Sequence, residues 1–468
     1  MDNKKFIWLL VAIATFFAIT YLTPNIDGLT HSAKVSLGVA VFAIIVWITG
    51  AVDDALSGIM IVFLLAAFKA TPKLADAFSG YSNTSLWLIV IGFIMAAGME
   101  KSGLSKRIAL LMINSAKGSA IGVYWAVFFV MAILSFLVPS ITARTLLMLP
   151  IILGIGQAFG AVEGKSNIVK ALVFIVAMSG TMMSLGILTA HVGNPITAGL
   201  IEQATKETIS WSEWFKIGGF PAFSLATISV FVIKWMWAPE KATLGAGESY
   251  VRDELAKLGK FSRDEIYTLI VFFITLVLWA TDSIHKTNVA VVGLLAVIML
   301  LFPKGGLMSW KEAQSKVPWN VFIVYGAGLS MGAALATSGA AKWLAGTMLS
   351  PIVDYSVSMQ IIILIWIVTL LQVFFTGGGP KTTALTPIII AHATVIGADP
   401  LVFALVLGMN MQHQYMLPVS NMPNAVAMGT GHITARELMK TGFVMSVVAC
   451  IYMSLMVLTF WKFIGVVN

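Results

Sequence analysis

The chain has 468 residues, of which 59% are hydrophobic and 11% charged, with a formal net charge of +8. So few charges cannot cover the surface of a water-soluble globule of this length, which excludes that class. The basic excess is spread along connecting segments without interleaved aromatics, so nucleic acid is not expected as a partner.

The predicted elements are membrane helices, because a run of apolar residues in hydrocarbon must satisfy its backbone hydrogen bonds internally. The first run, 6–22, follows Lys4 and Lys5 without a small-residue cleavage pattern. It reads as a retained helix in an N-terminal segment, 1–32. Spans at 33–50, 54–70 and 85–100 follow, then an apolar hairpin at 119–157 that breaks at a Pro/Ser/Thr cluster. A long, interrupted span at 168–205 and a plain one at 213–238 complete a first repeat, 33–238. A charged connection, 239–263, includes Arg252, Asp253 and Glu254. The second repeat, 264–468, has spans at 264–283, 287–303 and 318–336. It continues with a hairpin at 357–397, broken at a glycine cluster, an interrupted span at 400–430 and a last span at 438–463. The expected fold class is an all-α integral membrane protein with about 11 transmembrane helices. Placing the N-terminus in the cytoplasm puts most Lys and Arg inside, makes 239–263 cytoplasmic and leaves the C-terminus outside. The single Cys450 lies in an apolar run, which excludes an internal disulfide and a cysteine metal site.

The halves echo each other. Ser102-Gly103-x-x-Lys106 returns as Ser338-Gly339-x-x-Lys342. Pro139-Ser140-Ile141-Thr142-Ala143-Arg144 before Leu149-Pro150-Ile151 returns as Gly377-Gly378-Gly379-Pro380-Lys381 before Thr386-Pro387-Ile388, the basic residue six places ahead of the proline in both. Gly193-Asn194-Pro195 is answered by Ser420-Asn421-Met422-Pro423-Asn424. Five spans per half give the repeats opposite topology, and inverted repeats with paired broken segments mark secondary transporters. A channel fits less well, since nothing resembles a repeated filter loop.

Arg144 and Lys381 are the sharpest chemical signals, because a cation inside an apolar hairpin is costly. Two fixed cations would offset a dianion, Arg by a planar fork and Lys as a point charge. The alternative is that they reach an interface or pair with an acid, yet neither hairpin carries an acid close by. Ser140 and Thr142 offer hydroxyls beside Ile141, and Gly377, Gly378 and Gly379 expose backbone N–H groups. Either tip would equally serve as a structural turn. Asn194 with Pro195, and Asn421 with Pro423 and Asn424, lie where unwound backbone frees carbonyls and amides for a ligand, or where each Asn satisfies broken helix. His191, Thr197, Ser420 and His413 are accessory candidates, and a membrane His more often bonds a neighbouring helix. No phosphate loop, nucleophile elbow or paired metal ligands appear, so neither an enzyme nor a metal centre nor a cofactor is expected.

On these residues the chain resembles the divalent anion/sodium symporter family, the INDY-type carriers, over almost its whole length. In the sodium-coupled members each hairpin tip carries Ser-Asn-Thr; here the tips read Ser140-Ile141-Thr142 and Gly377-Gly378-Gly379. Both asparagines are missing, which speaks against sodium coupling. The stretch Pro139-Ser140-x-Thr142-Ala143-Arg144 resembles the exchanger branch, the 2-oxoglutarate/malate and citrate/succinate type. The resemblance implies a homodimer in the plasma (inner) membrane. It also implies an elevator mechanism in which hairpins and broken helices move against a fixed scaffold, linked by interfacial helices near 101–116 and 337–348. Lys101, Lys106 and Arg107 read as the polar face of the first of these. The expected function is sodium-independent exchange of dicarboxylates such as succinate, malate, fumarate or 2-oxoglutarate. The rivals are a sodium-coupled symporter, an ion or metalloid carrier, which would need a buried acid, and a receptor without transport.

Overall fold

The computed structural model describes residues 3–24, 28–375 and 377–467. Position 376, in the second glycine tip, and positions 1, 2, 25–27 and 468 lie outside the described residues.

Short polar side chains start most helices by accepting the free N–H groups of the first turn. Thr30 Oγ1 accepts from Ala33, Asp53 Oδ1 from Ala55 and Ser119 Oγ from Gly122. The first part of the bundle comprises α1 (Asn3–Phe17), α2 (His31–Thr49), α3 (Asp54–Ala67), α4 (Thr84–Ser102) and a short α5 (Leu104–Asn114). Gly103 separates α4 from α5 in a left-handed conformation, φ 77°, which a side chain would strain. The first hairpin is α6 (Ala120–Leu137) and α7 (Ile141–Ala158). Next come α8 (Asn167–Phe174), a π-helical turn at Ile175–Ser179, α9 (Gly180–Leu185), α10 (Gly193–Thr205) and the long α11 (Trp211–Met236).

The connection 239–263 is itself ordered. It holds α12 (Ala246–Leu258), which packs on α5 and α7. The second half runs α13 (Arg263–Ala280), α14 (Val289–Leu300), α15 (Trp310–Lys316), α16 (Trp319–Thr337) and α17 (Ala340–Met348). Its hairpin is α18 (Val357–Leu370) and α19 (Gly378–Val395), followed by α20 (Pro400–Asn410), α21 (Met422–Met428) and α22 (Ala435–Leu458). Each hairpin's second limb carries an internal proline, Pro150 in α7 and Pro387 in α19.

Among the described residues, nine helices are long and apolar enough to cross a membrane. The architecture is all-helical, as the apolar runs predicted. A smaller apolar core joins α2, α3, α16 and α17, while the larger one holds the hairpins and broken segments.

One sequence reading is corrected. Arg107 is no interfacial polar residue: it is 5% exposed and grips Glu265 with Nε (2.6 Å) and Nη2 (3.0 Å). Its remaining N–H groups donate to the carbonyls of Leu258, Gly259 and Lys260. It thereby ties α5 to the end of the charged connection. Lys101 and Lys106 do point outward, to Glu312 and Glu254.

Candidate functional site

Packing brings the two halves together at their breaks. The first limb of each hairpin packs on its own half's broken segment, α6 on α9 and α18 on α20. The second limb packs on its own half's and also on the other half's, α7 on α21 and α19 on α10. The tips and breaks therefore converge on one interior region, although they lie far apart in sequence.

Ser140 is the cap of α7, accepting at Oγ from Ala143 N, and it is buried with Ile141, while Thr142 is half-buried. Arg144, one turn on, has no solvent exposure. Its guanidinium donates to Ser135 Oγ, to Ser184 Oγ at 2.7 Å, to Ala190 O at 3.0 Å and to Ser140 O at 3.4 Å. It thus pins the hairpin tip to the segment between α9 and α10. A cavity of about 230 Å³ reaches it between α4, α5 and the hairpin. Lys381 is equally buried, but among the described residues its Nζ makes a single bond, to Val368 O at 3.1 Å. Among the described residues neither cation has a carboxylate partner.

The second hairpin is pinned by a different residue. Gln372 Oε1 accepts from Tyr415 N (2.9 Å) and Met416 N, and its Nε2 donates to Ser446 Oγ. Gly379 approaches the Tyr325 ring of α16 so closely that a methyl group there would overlap it. Gly377 and Gly378 lie half-buried at the start of α19.

The breaks follow one design. Asn194 Nδ2 donates to the carbonyls ten and seven residues behind it, Ser184 O and Ile187 O, at 2.8 and 2.9 Å. Asn424 Nδ2 donates to Gln414 O and Leu417 O, again ten and seven behind, both at 3.2 Å. The structural counterpart of Asn194 is therefore Asn424, not Asn421. The sequence comparison missed this because it matched Asn-Pro proximity rather than distance from the break. Two carbonyl acceptors fix each amide's orientation, leaving both Oδ1 atoms buried without a partner among the described residues. Asn421 instead reaches across to Thr181 Oγ1 at 3.3 Å, and Ser420 Oγ is buried without a partner among the described residues. Pro195 and Pro423 sit buried in the first turns of α10 and α21. Thr197 Oγ1 bonds Gly193 O within α10, a local role.

His191 Nδ1 accepts from Gly193 N at 2.9 Å, so the neutral ring carries its proton on Nε2. His413 lies 2.6 Å from Tyr415 OH through Nδ1, and its buried Nε2 has no partner among the described residues. The sequence reading passed over Gln372, Gln412 and Gln414. The signal was present, since three glutamines in otherwise apolar stretches stand out as much as a histidine does.

Two broken segments and two hairpin tips, each with a buried cation one turn on, inside a bundle of apolar helices, define a membrane transporter of the inverted-repeat kind. Over residues 4–467 the chain matches the family described as "Sodium:sulfate symporter transmembrane region". The chain belongs to that family, and the resemblance to divalent anion/sodium symporters is borne out. Its relatives include a "Membrane protein" of Cupriavidus necator, 29% identical over 98% of this chain and 93% of that one. The "Sodium-dependent dicarboxylate transporter SdcS" of Staphylococcus saprophyticus is 28% identical over 94% of this chain and 88% of its own. The "L-tartrate/succinate antiporter" of Escherichia coli is 28% identical over 97% and 96%. Among solved structures the fold is similar to the Alcanivorax borkumensis YdaH transporter, with a TM-score of 0.58 at 12% identity, covering 88% of this chain and 98% of that one. It is also similar to Neisseria gonorrhoeae MtrF, with a TM-score of 0.56 at 13% identity, covering 95% and 96%.

Proposed function

We propose that this chain exchanges four- and five-carbon dicarboxylates across the plasma (inner) membrane without sodium. The observation that carries this reading is the pair Arg144 and Lys381, both fully buried and both without a carboxylate partner among the described residues. Two uncompensated charges resist movement through hydrocarbon. A bound dianion makes the site nearly neutral, so the loaded carrier crosses and the empty one stays: obligatory exchange follows from charge. The relative named as an L-tartrate/succinate antiporter supports both the substrate class and the mode. The moving part comprises the hairpins and broken segments, which interlock across the halves, and the other helices form the scaffold of a homodimer. The N-terminus is cytoplasmic and the C-terminus extracytoplasmic.

A second reading, sodium-coupled symport, is favoured by one observation. The unpartnered carbonyl oxygens of Asn194 and Asn424 are hard ligands at corresponding places in the two halves, suited to a small cation. The relative named as sodium-dependent points the same way.

Proteoliposome uptake of labelled succinate separates the two. Exchange requires unlabelled dicarboxylate inside the vesicle and ignores a sodium gradient. Uptake into empty vesicles that rises with inward sodium sinks the exchanger reading and moves the roles of Asn194 and Asn424 to ion binding.

A further inference from the structure

The helices α10 and α19 begin at Gly193 and Gly378, one in each half. Both helices turn a positive end to this place, which suits an anion; α19 begins with the N–H groups of Gly378 and Gly379, whereas in α10 those of Gly193 and Asn194 are held by His191. The place beside both glycines is filled by the carboxamide of Gln412, from the chain between α20 and α21. A methyl group on either Gly193 or Gly378 would overlap that carboxamide. Gln412 is 2% exposed; its Nε2 donates to Thr382 Oγ1 at 2.9 Å, and its Oε1 is buried without a partner among the described residues. A carboxamide has the planar shape and size of a carboxylate but no charge. A buried amide oxygen with no donor, lying beside the start of α19, marks a place made for something else.

We propose that Gln412 is a built-in stand-in for a substrate carboxylate. It occupies the carboxylate subsite between α10 and α19 in the empty carrier, and the dicarboxylate displaces it on binding. The two glycines keep that subsite open to a planar group. The Gln412–Thr382 hydrogen bond holds the stand-in and sets what the ligand must overcome. This rests on the dicarboxylate reading above, and the experiment keeps the two apart.

Purified protein is titrated with succinate by calorimetry, in wild-type form and as Gln412→Ala, Gln412→Asn and Gln412→Glu. Asparagine is one methylene shorter and keeps the amide, so it covers the case in which alanine unsettles the fold. Displacement of the stand-in breaks one hydrogen bond, so Gln412→Ala and Gln412→Asn should bind succinate about fivefold more tightly. Gln412→Glu places a real carboxylate in the subsite and should bind roughly tenfold or more weakly. Wild-type binding with unchanged or weaker binding in both shortened variants overturns the stand-in and leaves the exchanger reading in place. Succinate binding to none of the four proteins overturns the dicarboxylate reading and the stand-in with it.

Discussion

Arg144 and Lys381 hold corresponding places in the sequence, six residues ahead of a proline, yet they are held differently. Arg144 spends its fork on Ser135, Ser184, Ala190 and Ser140, whereas Lys381 makes one backbone bond. Their substitutions should therefore separate. Lys381→Gln should cut succinate uptake roughly 100-fold, the loss expected when one member of a desolvated charge pair goes. Its thermal unfolding midpoint in detergent should stay near that of wild type. Arg144→Lys keeps the charge but loses the fork, and should lose on the order of 2 kcal/mol of stability from broken bonds between helices. A lowered midpoint for Arg144→Lys, with none for Lys381→Gln, is the pattern that checks this. Equal drops in both would show that Lys381 is also structural. The asparagines teach a related point. Asn194 and Asn424 are paired by the carbonyls they reach, and spacing to a nearby proline did not reveal that.

Between elements, helices are joined by ion pairs of very different worth. The Arg107–Glu265 pair is about 5% exposed on each side and also satisfies three carbonyls. Removing one partner leaves the other buried, so Arg107→Ala should cost about 3 kcal/mol, read as a lower unfolding midpoint. Lys101–Glu312, at 40% and 53% exposure, is screened by solvent and should contribute little. Hydrogen bonds from Lys257 and Lys106 hold the Glu254 carboxyl down to about 2, and Lys101 and Ser309 do the same for Glu312. A depressed carboxylate stabilises above its ordinary value of 4.5, and that contribution is lost as pH falls from there toward about 2. The unfolding midpoint should therefore be insensitive to these two groups between pH 8 and 5 and should fall below pH 4.5. A scan of the wild type against Glu254→Gln with Glu312→Gln checks this, because the double variant should lose part of the acid-side drop.

For the whole molecule, the cross-packing of hairpins and breaks is decisive. α7 meets α21 and α19 meets α10, so each half supplies part of what the other's hairpin packs against. Neither half should bind succinate when expressed alone, and co-expression of 1–245 with 246–468 should restore binding. Binding by a single half would show that one hairpin and one break suffice.

The sequence by itself determined the class and where the apolar helices run. Apolar length, glycine and proline breaks and polar caps are local signals, and hydrocarbon leaves the backbone no choice but helix. It also marked Arg144 and Lys381, because a charge in an apolar run is visible without any coordinates. Only the tertiary structure decided that Arg107 is buried, that Gln372 rather than Lys381 pins the second tip, and that Gln412 lies against glycines from both halves. Each of those facts depends on residues far apart in the chain meeting across a helix interface. The position of a polar group along a helix fixes neither which neighbour it faces nor whether that neighbour leaves it a partner.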